Sequence, residues 1–156
     1  MTDEKQQYDE YVQLFHRSEN PNEIINGLLT LREWQAAGSL SKLQRLEAQI
    51  PAFNTLNNLL RKEQINEIEK IILEYLLPDC LLFDEPSRYL ISKHRDILNK
   101  WLDDLNDIER DRIRSKILVS VLPLLKSSEP RSACWVISSI GYRDAVVVQG
   151  GITEVV

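Results

Sequence analysis

From Pro86 onward, Leu90, Ile91, His94, Ile97, Leu98, Trp101, Leu102 and Leu105 recur at steps of three and four residues. A strand would need alternation at every second residue, so this spacing fits one face of a helix and excludes a half-buried strand. Pro86 suits the first turn, where its missing N–H removes no hydrogen bond. Ile65, Ile68, Ile72, Tyr75 and Leu76 form a second stripe, expected to end at Pro78. Ile113, Ile117, Val121 and Leu124 form a third, widened by Leu118, Leu122 and Leu125. A stripe that wide implies contact with more than one neighbouring helix.

The upstream half reads the same way. Tyr8, Tyr11, Val12 and Phe15 give an opening helix over 4–17 an inward face. Asn20 precedes Pro21 as an N-cap, and Gly38 closes the following helix near Ala37. Beyond Ser41 the pattern predicts two short helices or one kinked at Pro51. Five glycines and six prolines are too few for an all-β chain, which needs many turns. The breaks at Pro78–Pro86, Asn106–Asp107 and Ser127–Pro130 are short, so consecutive helices should pack antiparallel. The expectation is an all-α chain forming one helical-repeat domain over residues 1–156.

Charge narrows the function classes. A net charge of −5 argues against general affinity for nucleic acid or an anionic membrane, both of which need a cationic face, and it fits a basic protein partner. No apolar run approaches the roughly 20 residues a membrane span requires. The polar start "MTDEKQQYDE" does not read as a signal peptide, so a cytoplasmic location is expected. Cys80 and Cys134 sit in apolar surroundings and read as two buried thiols, with a disulfide between them the alternative.

A faint internal repeat runs through the second half. Leu77-Pro78 recurs at Leu122-Pro123 and Glu85-Pro86 at Glu129-Pro130, an offset of about 45 residues, within the range of HEAT and armadillo units. The closing segment "SACWVISSIGYRDAVVVQGGITEVV" resembles the armadillo third helix and the start of the next unit. Ala133, Trp135, Ile137, Ser138 and Ile140 fall on matching positions, followed by Gly150, Gly151 and Ile152. The similarity is greatest to the "ACW" helices of nuclear-import adaptors, and the best-matched unit spans about 113–156. It implies a right-handed α-α superhelix of antiparallel helices, with the inner face of each unit holding a peptide. The asparagine with which armadillo proteins grip a peptide backbone is replaced by Ser139, which offers one short hydroxyl in place of an amide. An extended peptide bound across many identical units is therefore not expected. The β-branched runs around Gly150-Gly151 also fit a hairpin, and short helices are the preferred reading for 146–156.

On a helical wheel from Arg131 to Ile140, Ala133, Val136, Ile137 and Ile140 share the core side. Trp135 points away from them, amid Arg131, Ser132, Ser138, Ser139 and Tyr142. A large aromatic ringed by small polar residues and an arginine has the composition of an interface hot spot. The competing reading is that a neighbouring helix covers the indole. A second candidate feature is the acidic run "WLDDLNDIERDR", with Asp103, Asp104 and Asp107 facing a cationic partner, although Arg110, Arg112 and Arg114 partly neutralise it.

Catalytic and cofactor signatures are not found. Gly150-Gly151 lacks the strand-then-helix context of a phosphate loop. His94 lies within an apolar stripe and reads as a core or boundary residue, and no Cys or His spacing suggests a metal. No catalytic, metal or cofactor-binding residue is assigned. Two binding functions remain. Small size, acidity and an exposed aromatic are similar to what an immunity protein of a bacterial toxin-delivery (contact-dependent inhibition) system requires when it masks a basic nuclease-type toxin domain. The alternative is an armadillo-type adaptor holding an extended or basic peptide in a groove. Either way the expected partner is one protein, with no direct nucleic acid and no membrane.

Overall fold

A computed structural model describes residues 2–60, 64–82, 84–127 and 130–140, with side chains from Lys5 onward. Among these residues the chain is all-α, with no strand. It divides into two compact units, Met1–Gln64 and Ile65–Val156, each described by itself below. No helix among the described residues is long and apolar enough to cross a membrane. The 146–156 segment, for which helix and hairpin were weighed, lies outside the described residues, as does Tyr142.

The first unit is built from α1 (Thr2–Arg17), α2 (Pro21–Ala36) and α3 (Lys42–Leu59). Asn20 caps α2 by accepting from the Asn22 amide at 3.0 Å. Gly38, at φ +84°, supplies the left-handed turn after its last residues. Ser41 and Gln44 form a reciprocal capping box at the start of α3. Pro51 neither splits α3 nor ends it, and the helix runs unbroken to Leu59. Phe15, Ile24, Leu28, Leu31, Leu46, Ala52, Phe53 and Leu56 are fully buried or nearly so and form the core of this unit. α1 and α2 meet at Gly27. A Cβ built there would lie 2.6 Å from Phe15 Cε1 and 2.9 Å from its Cζ, so only glycine admits the buried ring.

The second unit opens with α4 (Ile65–Ile71), which passes through a π turn (Ile72–Leu76) into α5 (Leu77–Cys80). The expectation that Pro78 ends this helix is corrected. The wider π turn, closed by the Leu77 amide on the Ile72 carbonyl, comes just before the proline. Pro78 then sits in the first turn of α5, where its missing N–H does least harm, and the helix continues to Cys80. After a short 3₁₀ turn at Glu85–Ser87 come α6 (Arg88–Asp103) and α7 (Asp107–Val121). A second 3₁₀ turn (Leu122–Lys126) leads to α8 (Arg131–Ser139).

Of the stripe read from the sequence, Ile91, His94, Ile97, Leu98, Trp101, Leu102 and Leu105 are buried, whereas Leu90 is half-buried. Ile113, Ile117 and Val121 are fully buried on α7, but Leu124 is 37% exposed while Leu125 is buried. Winding tightens at Leu122-Pro123, so the α-helical wheel no longer places the residues after Val121. Glu69 on α4 binds Lys116 at 2.7 Å and also pairs with Arg112, tying α4 to α7 through charge as well as apolar packing. Arg110, near the start of α7, donates to the carbonyls of Leu102, Asp103 and Leu105 at 2.9, 3.1 and 2.8 Å. It thereby satisfies the C-terminal groups of α6 that lack intrahelical partners.

Candidate functional site

Ala133, Val136, Ile137 and Ile140 are fully buried, as the wheel of α8 requires. Arg131, Ser138 and Ser139 are exposed. Ser132, assigned to the open side, is buried at 5% exposure. The covered arc of α8 is wider than its apolar residues indicate because α6, α7 and the preceding 3₁₀ turn all pack against it.

Trp135 retains 36% exposure, between the two sequence readings. Its ring is held by two arginines from the neighbouring helix. The Arg95 guanidinium carbon lies 4.7 Å from the ring centroid and that of Arg88 lies 5.9 Å away, both within cation–π range. Arg95 is itself buried, at 9% exposure. Its Nε donates to the Cys80 carbonyl at 3.0 Å, which satisfies an end group of α5. Its Nη2 is buried with no hydrogen-bond partner among the described residues. Desolvation lowers the Arg95 pKa from its ordinary value.

Leu82, Asp84, Glu85 and Ile91 complete the wall around these three side chains. The open volume is about 10 Å³, room for a single water. Small-molecule sites run to roughly 300–1,000 Å³. The feature is therefore a shallow, charged and aromatic surface rather than a ligand cavity.

Asp103, Asp104 and Asp107 are exposed, but they do not join Trp135. Asp103 stands eight residues beyond Arg95 on α6, about 12 Å along its axis at the helical rise. Most of the acidic run is answered locally. Asp107 pairs with Arg110 at 3.0 Å, Glu109 with Arg112 at 2.7 Å, Asp104 with Lys100 at 3.7 Å and Asp111 with Arg114 at 3.9 Å.

Arg88 and Arg95 are the site residues that the sequence reading missed. A signal was there for one of them. Arg95 continues the buried row Ile91, Leu98, Leu102, where an arginine has no place unless a carbonyl and an aromatic face receive it. His94 is fully buried with Nδ1 2.8 Å from the Leu90 carbonyl oxygen, a position inside the core of the unit. No group of three or more His, Cys, Asp or Glu able to hold a metal occurs among the described residues. Both cysteines are unbridged, Cys80 buried and Cys134 half-buried.

The chain matches no family model, no curated protein and no solved structure. What the coordinates define is a class: an all-α protein with an arginine-braced tryptophan at its surface.

Proposed function

We propose that this chain is a non-catalytic protein-binding module that neutralises a basic toxin domain, in the manner of an immunity protein. One observation carries the binding reading. Trp135 keeps a third of its surface open while Arg95 and Arg88 hold the ring in place. A pre-set aromatic loses little conformational freedom on binding, which is why Trp and Arg dominate interface hot spots. The net charge of −5 and the exposed Asp103, Asp104 and Asp107 support a cationic partner.

The helical-repeat arrangement belongs to the same proposal. Its support is that both Leu-Pro pairs accompany a change of winding: Leu77-Pro78 directly follows the π turn and Leu122-Pro123 opens the second 3₁₀ turn. Pro86 lies in the 3₁₀ turn two residues before α6, and Pro130 directly precedes α8. The adaptor reading draws on Ser139 and Arg131, exposed on the same helix as Trp135.

The test uses the purified full chain and a basic toxin-type nuclease domain, sought first in the genes flanking that of this chain. Calorimetry should give a one-to-one complex. Trp135→Ala should weaken it by roughly 2 kcal/mol, as hot-spot truncations do, with circular dichroism unchanged. Replacing Asp103, Asp104 and Asp107 by Asn should slow association at low salt more than it speeds dissociation. No complex, or wild-type affinity in Trp135→Ala, overturns the proposal. Tight binding of short basic peptides instead would favour the adaptor.

A further inference from the structure

A cleft in the first unit is lined by side chains that take no part in the Trp135 site. It measures about 470 Å³, within the range of sites that hold a ligand group. Tyr8 and Trp34 line it together with Leu40, Gln44, Lys5 and Asp9.

Both rings are fixed before anything binds. The Tyr8 hydroxyl donates to the Gln44 backbone carbonyl at 3.2 Å. Trp34 packs edge-on against Tyr11, with centroids 5.5 Å apart and planes at 72°. Asp9 has no hydrogen-bond or ion-pair partner among the described residues, although Lys5 lines the same cleft. The field at Tyr8 is negative: burial raises its phenol pKa first, and the charges of Glu47 and Asp9 raise it further. Two aromatic rings and an unanswered carboxylate form the set of acceptors that recognises an organic cation. Of the protein cations, guanidinium fits best, since it is planar, stacks on rings and donates in a fork to a carboxylate.

We infer that this cleft receives an arginine side chain of the partner protein, stacked between Tyr8 and Trp34 and paired with Asp9. The source of the arginine rests on the protein-binding reading above, whereas the selectivity of the cleft is independent of it.

The probe is N-acetyl-arginine amide, titrated into the isotope-labelled full chain while the three indole N–H resonances are followed, with that of Trp34 assigned from Trp34→Phe. The Trp34 resonance should shift saturably with a millimolar Kd. N-acetyl-citrulline amide, the neutral isostere, should bind about tenfold more weakly or less. Asp9→Asn should weaken arginine binding about fivefold, and Lys5→Gln should strengthen it by removing a like charge. Both positions are exposed, so neither variant should alter helix content. Equal shifts with the citrulline probe, no effect of Asp9→Asn, or a shift at Trp135 alone would overturn the inference. If the toxin complex forms but the arginine probe leaves Trp34 unmoved, the cleft proposal fails and the binding function stands. If the probe binds selectively and no complex forms, the cleft stands and the toxin reading fails.

Discussion

The guanidinium of Arg95 is shared between two structural tasks: it lies 4.7 Å from the Trp135 ring centroid while its Nε holds the Cys80 carbonyl at 3.0 Å. One side chain thus caps α5 and supports α8. Arg88 meets the same ring at 5.9 Å, but its side chain is 66% exposed and also lies 3.8 Å from Glu85. Cation–π attraction strengthens with desolvation. A double-mutant cycle with Arg95→Met and Trp135→Leu should therefore give a coupling of about 1 kcal/mol in urea denaturation. The corresponding Arg88 cycle should give less than about 0.5 kcal/mol. Equal couplings would mean that burial of Arg95 adds nothing to the contact.

Gly27→Ala should destabilise the protein by about 1–2 kcal/mol, even though alanine is the better helix former. The added methyl would meet the Phe15 ring at 2.6 Å, and that ring is fully buried and has nowhere to retreat. Phe15→Leu makes room, so it should cost less in the Gly27→Ala background than in the wild type. Urea titration of the four proteins measures this, and simple additivity would contradict the steric account.

Glu69 links α4 to α7 and gives stability a pH dependence. Its pKa is lowered by the hydrogen bond from Lys116 first; burial opposes this, and the hydrogen bond and charge of Arg112 add to the lowering. A carboxylate whose folded pKa lies below its unfolded value stabilises above the unfolded value, near 4.5, and loses that contribution as pH falls through the folded one. Glu69→Gln should therefore lower stability at pH 7, by about 0.5–1 kcal/mol at low salt. The difference from wild type should shrink below about pH 4. A gap independent of pH would show that shape, not charge, is what Glu69 contributes.

The two thiols should differ in reactivity. Burial, and secondarily the Asp79 charge, raise the Cys80 pKa far above that of a free thiol, and the side chain is inaccessible. Cys134 is half-buried. Under native conditions a thiol reagent should modify Cys134 alone, and Cys80 should react only on unfolding. Rapid native labelling of both would mean that α5 opens readily.

Much of the helical plan was legible because it depends on local rules. The α6 stripe from Ile91 to Leu105, the Asn20 cap and the Gly38 turn follow from backbone sterics and a 3.6-residue period, which a single sequence displays. Pro78 was misread since a proline signals only that the regular ladder must change. Whether it ends the helix or follows a π turn depends on what the flanking turns bury, here Ile72, Tyr75, Leu76 and Leu77.

The candidate site was legible only in half. The sequence by itself determined that Trp135 lies off the core face of α8, since Ala133, Val136, Ile137 and Ile140 occupy the other side of the same helix. Only the tertiary structure decided what touches the indole. Arg88 and Arg95 lie 47 and 40 positions earlier in the chain and reach the ring through the packing of α6 on α8. Periodicity orients a residue relative to its own helix axis, whereas contact depends on how two helices meet, and that is fixed by the complementary shapes of all the side chains between them.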